Sequence, residues 1–143
     1  MNTILISLAS LVIGLLYILW FRYKDVHEPE PVVYMLLSFA IGGVLSIVIS
    51  SIIYLVVPVS MDFFGAFLVG FVEELGKLLA FLAILPFIKN QMDELVDGLI
   101  YMGCVALGFA VIENVFYAMN SPSPYSLLGL RAVTSTIGHI SFS

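Results

Sequence analysis

Charge is what this sequence has least of. Only 10% of its 143 residues are Asp, Glu, Lys or Arg, against about a quarter in an ordinary soluble domain, so most of its surface does not face water. Basic residues are scarcer still: five Lys and Arg against ten Asp and Glu give a formal net charge of −5. No basic patch exists to release counterions from phosphates, which excludes nucleic acid as a partner. The one cysteine, Cys104, lies in an apolar segment. That excludes a disulfide framework and a thiolate zinc site within one chain. With nothing basic beside it in sequence, Cys104 reads as a buried, inert thiol. Residues 3–21 have no Lys or Arg ahead of them and no small-residue cleavage site behind them, so they read as a retained span rather than a secretion signal. Internal repeats and low-complexity tracts are also missing.

Hydrocarbon is abundant instead. The chain is 62% hydrophobic, and its apolar residues fall in long runs rather than in stripes, which is the pattern of helices that cross a bilayer. The reading is an all-α membrane protein, a polytopic bundle of about five transmembrane helices forming a single domain over residues 1–143 of the cell membrane. Spans are expected at 3–21, 32–57, 62–85, 93–119 and 126–143. A polar string from Arg22 to Pro31 separates the first two, and Gly42 and Gly43 lie inside the second. Pro58 closes the second span, Pro86 stops the third, and the run Asn120-Ser121-Pro122-Ser123-Pro124 breaks the chain after the fourth. Arg22 and Lys24 fall in the first loop and Lys89 in the third, while the second and fourth loops carry no Lys or Arg. The positive-inside rule then puts the N-terminus outside.

Against this background Glu73, Glu74, Lys77, Glu113 and Arg131 stand inside expected spans, joined by Asn114 and His139. A charge at a helix centre costs about 2.5–3.5 kcal/mol, so such residues are functional candidates by default. Counted from the outer ends of their spans, Glu73 and His139 lie roughly 17 and 18 Å deep, near the membrane middle. Glu113 lies only roughly 9 Å deep, and a tilt or a kink at Gly108 is expected to bring it level. Glu73 and Lys77 are four apart and share a face, while Glu74 points about 100° away. One carboxylate is then neutralised by Lys77 and the other is left as a base. A structural ion-pair cluster between helices is the competing account. For Arg131, snorkelling to the outer interface competes with a role in the site. Asp93 and Glu94, at the start of the fourth span, complement the helix dipole. Gly98, Gly103 and Gly108 make that helix the expected packed centre of the bundle.

Taken together, Glu73-Glu74-Leu75-Gly76-Lys77, Asp97-Gly98-Leu99-Ile100-Tyr101, Gly108-Phe109-Ala110-Val111-Ile112-Glu113-Asn114, and Arg131 followed by His139 resemble the PrsW family of membrane proteases, as does Glu28-Pro29-Glu30-Pro31 in the first loop. Each motif alone is weak, but all of them in order on the right helices make a specific signal. The family is similar to the CAAX-type prenyl endopeptidases and to a scaffold subunit of γ-secretase. The resemblance implies first-site cleavage of a single-span, membrane-bound anti-sigma factor, which releases a stress-response sigma factor. It implies Glu73, Glu74, Glu113 and His139 as catalytic positions and Lys77, Asp97, Asn114 and Arg131 as supporting ones. The last apolar segment is shorter than the roughly 20 residues of a full span, whereas family members continue with further membrane sequence. A chain truncated after His139 is therefore expected.

The chemistry expected is peptide hydrolysis by a water activated on Glu73 or Glu74. His139 would stabilise the oxyanion or protonate the leaving amine, and Asn114 or Arg131 would serve as further donors. Glu73, Glu74, Glu113 and His139 could also hold a divalent metal such as zinc with an open position. No His-Glu-x-x-His motif is present, however, and the analogy to prenyl endopeptidases favours a metal-free route. Two other classes fit parts of the pattern. A proton- or cation-coupled carrier also uses buried Glu, Lys and His, but small size and the lack of an inverted repeat count against it. A non-catalytic membrane scaffold would use the same groups as glue between helices.

Overall fold

The structure is a computed structural model that describes residues 3–25, 28–58, 60 and 62–142. Val26 and His27 of the first loop, and Ser143 at the end of the last expected span, lie outside the described residues. The elements are α1 (Thr3–Lys24), α2 (Val32–Leu37), a π turn (Ser38–Gly42), α3 (Gly43–Tyr54), α4 (Phe63–Ile88), a 3-10 turn (Lys89–Gln91), α5 (Leu95–Met119) and α6 (Pro124–Phe142). The all-helical membrane architecture read from the sequence is borne out, with no strand among the described residues. Thr3–Lys24, Val32–Tyr54 and Leu95–Met119 are long and apolar enough to cross a membrane. The 26-residue α4 is as long, but carries Glu73, Glu74 and Lys77 along its middle.

Helix ends differ from expectation where local bonding decides them. Pro86 does not stop α4, which continues to Ile88. A proline one turn from a helix end forfeits a single N–H bond, and here the Lys89 N–H still donates to the Leu85 carbonyl. The second span ends at Tyr54, short of Pro58, because the N–H groups of Leu55, Val56 and Val57 fold back onto Ile52 and Ile53. The fourth helix starts at Leu95 rather than Asp93. Glu94 is its N-cap, and the Asp97 carboxylate accepts from the N–H groups of Asp93 and Glu94 at 2.8 and 2.6 Å, satisfying donors that a helix start leaves open.

The centre of the bundle is α5, where every residue from Ile100 to Ala110 is buried. The glycines explain how neighbours come so close. A Cβ on Gly108 would collide with the Phe39 carbonyl and the Gly43 backbone, and one on Gly103 would meet the Phe21 ring. Backbones can approach this closely only where small residues face each other. The π turn inserts its extra residue at this crossing, so Gly108 serves as a contact and not as a kink; α5 is unbroken. Likewise Gly76 of α4 packs against Ser50 of α3, and Ser50 Oγ donates to the Val72 carbonyl at 3.4 Å. From α1, Ser10 Oγ donates to the Val111 carbonyl at 3.1 Å and Tyr17 Oη to the Ala132 carbonyl at 3.3 Å.

The first loop is pinned to α5 by Glu30, which is 2% exposed. Its carboxylate accepts from the Tyr101 hydroxyl, its carbonyl accepts from Arg22, and its N–H donates to Asp25 at 2.9 Å. Burial pushes the Glu30 carboxyl up to about 7, Asp97 adds to the rise, and the Tyr101 hydroxyl opposes it. A carboxyl raised in the folded state contributes stability that is full below its unfolded value and is lost as pH rises through the folded one. The melting temperature in detergent is therefore expected to fall between about pH 5 and about pH 8, and Glu30→Gln is expected to flatten that slope. A slope unchanged in Glu30→Gln would show that another group carries it.

Candidate functional site

The seam between α3 and α4 sets the rotation of the Glu-Glu pair. Tyr54 Oη at the end of α3 donates to the Val69 carbonyl at 3.2 Å and lies 3.5 Å from Glu73 Oε1. Lys77 is fully buried, and its Nζ donates to Glu74 Oε1 at 2.5 Å. The pairing is thus one of residues three apart, although Glu73 and Lys77 were the pair expected to share a face. Both spacings place side chains side by side on a helix, and the side of α4 that meets α6 decides between them. Lys77 Nζ also lies 3.1 Å from His139 Nδ1, so the ammonium turns towards Glu74 and the imidazole together.

The other half of the cluster joins α5 to α6. Glu113 Oε2 accepts from Arg131 Nη2 at 2.5 Å and lies 3.0 Å from His139 Nε2. The side chains of Glu113, Arg131 and His139 are 14%, 17% and 12% exposed, so Arg131 is held inside the bundle and does not snorkel. Its Nε donates to Asn114 Oδ1 at 2.8 Å and its Nη2 to Ser135 Oγ at 2.9 Å. Its guanidinium stands over the Tyr117 ring at 4.0 Å. Asn114 Nδ2 donates in turn to Thr136 Oγ1 at 3.2 Å. The Phe109 ring meets the His139 ring edge-on at 5.2 Å and lies 5.2 Å from Lys77 Nζ. Imidazole and ammonium thus share one aromatic wall.

Glu73 of α4, Glu113 of α5 and His139 of α6 therefore meet, each with a donor atom within 4.8 Å of the others. Glu74 and Lys77 adjoin them, and Asn114 and Arg131 support Glu113. Asp97 does not join them. It is buried at the start of α5, where it caps the helix and shares a separate acidic group with Glu30 and Asp93. Tyr54, Ser135 and Thr136 are the polar contacts that sequence reasoning missed. The last two lie on the Arg131 and His139 side of α6 and follow from helical spacing, whereas nothing in the sequence ties Tyr54 to Glu73.

Residues 30–143 match a family described as "PrsW family intramembrane metalloprotease". A protein named Protease PrsW from Clostridioides difficile (strain 630) is 32% identical over 152 residues, covering 100% of this chain and 62% of that protein. Protease PrsW from Bacillus subtilis (strain 168) is 35% identical over 114 residues, covering 76% of this chain and 51% of its own length. The chain spans between half and two thirds of the length of these relatives. No solved structure gives a significant match. On the extent of the family match, this chain belongs to the PrsW family of intramembrane metalloproteases.

Proposed function

We propose that this chain carries the catalytic core of an intramembrane endopeptidase, which hydrolyses a peptide bond of a membrane-bound protein with a water held between Glu73, Glu113 and His139. The observation that carries this reading is the convergence of two carboxylates and one imidazole from three helices within 4.8 Å. Chemistry separates the carboxylates. Glu74 and Glu113 each meet a cation, whereas Glu73 meets the Tyr54 hydroxyl. Glu73 is the group best placed to take a proton from the attacking water. His139, braced by Lys77 on one side and Glu113 on the other, orients for proton delivery to the leaving amine. Arg131 neutralises Glu113 and, held in place by Asn114 and Ser135, would offer an N–H to the developing oxyanion. The substrate class that the family resemblance implies is a single-span anti-sigma factor.

Two carboxylates and an imidazole are a donor set that fits a divalent ion such as zinc, and Glu73, Glu113 and His139 would then serve as its ligands in place of the proton-transfer roles given above. Bound there, the ion would polarise the scissile carbonyl and acidify the attacking water. The family's description as metalloproteases supports this route over the metal-free one favoured by analogy to prenyl endopeptidases.

Two outcomes are expected. In liposomes holding the full-length protein and a single-span anti-sigma substrate, Glu73→Gln, Glu113→Gln and His139→Ala should each lower kcat by about 100-fold or more. Wild-type turnover in both the Glu73→Gln and the His139→Ala proteins would remove the hydrolytic reading. Treatment with 1,10-phenanthroline should abolish cleavage and added Zn²⁺ should restore it. Full cleavage by a metal-stripped preparation would return the mechanism to its carboxylates alone.

A further inference from the structure

The cluster holds three carboxylates, and cations hold two of them. Glu74 meets Lys77 at 2.5 Å, and Glu113 meets Arg131 at 2.5 Å. Glu73 pairs with no cation among the described residues. The one donor that reaches its side chain there is the Tyr54 hydroxyl, 3.5 Å from Oε1. Tyr54 is the last residue of α3. Ser46, Ser50 and Tyr54 follow one another at intervals of four, so they lie along one face of that helix. Gly76 of α4 packs against Ser46 and Ser50, and Ser50 donates to the Val72 carbonyl at 3.4 Å. Tyr54 continues this seam by donating to the Val69 carbonyl at 3.2 Å. The hydroxyls of Ser46 and Ser50 end on backbone carbonyls. Only that of Tyr54 also reaches an ionisable side chain.

A carboxylate that does chemistry needs a fixed direction and a charge that is not cancelled. An ammonium or guanidinium supplies the first and removes the second, whereas a phenol donates a hydrogen bond and carries no charge. The Tyr54 hydroxyl is also tied to the right backbone. Val69 stands four residues before Glu73, about one turn along the same helix. Its carbonyl therefore holds the hydroxyl at a fixed height beside the carboxylate. The tyrosine ring adds only two torsions, and the contact of Gly76 with Ser50 locks α3 against α4. We propose that Tyr54 is a positioning residue of the hydrolytic site, its hydroxyl setting the direction in which Glu73 presents its carboxylate to Glu113 and His139. The inference rests on the hydrolytic reading above. It holds for Glu73 as base or as metal ligand, since both roles depend on where the carboxylate points. A bond of 3.5 Å is long, and bonds of this kind tighten as the reaction complex forms.

The test is Tyr54→Phe, which keeps the ring and its packing and removes only the hydroxyl. With the full-length protein and a single-span anti-sigma substrate in liposomes, Tyr54→Phe should lower kcat by about 10- to 100-fold and leave KM unchanged. Replacing Tyr54 with 4-aminophenylalanine puts an N–H donor in the same place and should restore most of the rate. Ser50→Ala removes a bond of the same seam that ends on backbone, and should keep the wild-type kcat. The second readout is infrared absorption by the Glu73 carboxyl group, isolated as the difference between each protein and its Glu73→Gln counterpart. That band should shift in Tyr54→Phe, return with 4-aminophenylalanine and stay in place in Ser50→Ala. An unchanged kcat in Tyr54→Phe, a matching loss in Ser50→Ala, no recovery with 4-aminophenylalanine, or an unmoved band would overturn the proposal. The band needs no cleavage, so a protein whose band shifts as expected but which cuts nothing would contradict the hydrolytic reading and leave Tyr54 assigned to Glu73.

Discussion

A carboxylate in hydrocarbon persists only when a positive or hydrogen-bonding group stands against it, and in this chain that requirement ties three helices together. Glu113 is the common point: Arg131 and His139 from α6 both reach its Oε2. From α4, Lys77 reaches Glu74 and His139. Left unpaired, each charge would cost about 2.5–3.5 kcal/mol at a helix centre, and breaking one contact strands a partner as well. The cluster therefore holds α4, α5 and α6 at one depth. Hydrocarbon packing alone would not fix that registry, because lipid tails are as apolar as the side chains they replace.

The cluster can form only because α5 lets its neighbours approach. Gly108 admits the Phe39 carbonyl and the Gly43 backbone, and Gly103 admits the Phe21 ring. On the far side Gly76 and Ser50 bring α3 against α4, and the Tyr54 hydroxyl comes to rest beside Glu73. Small residues thus set the distances between backbones, and polar side chains set the rotations. In α1 the first device recurs, with Gly14 against Val111 and the Phe39 ring, while Ser10 and Tyr17 bond only to backbone carbonyls of α5 and α6. That helix covers the bundle without contributing a titratable group to the cluster.

Much of this was legible in the sequence, for reasons that particular residues make plain. Long apolar runs specify spans, and Glu73, Glu113, Arg131 and His139 stand out because charges are so rare in such runs. The small residues of α5 announced its central place. Choices between equal local options were not legible. Lys77 could reach Glu73 or Glu74 by helical spacing alone, and only the position of α6 decides. Arg131 could snorkel or turn inward, and its bonds to Glu113 and Asn114 settle which. Gly108 could bend a helix or admit a neighbour, and the π turn opposite it shows the second. Asp97 read as part of the same constellation, but it lies at the cap of α5 beside Glu30. A linear motif does not say which end of a 25-residue helix faces the site.

The claim beneath all of this is that side chains from α4, α5 and α6 meet inside the membrane. In a Cys104→Ala background, the pairs Glu73→Cys with His139→Cys and Glu113→Cys with His139→Cys can be exposed to Hg²⁺ in native membranes and their bridging followed by loss of free thiol. Both pairs are expected to bridge rapidly and stoichiometrically, while Asp97→Cys with His139→Cys stays open. Failure of the first two pairs, or equal bridging by the third, would contradict the account.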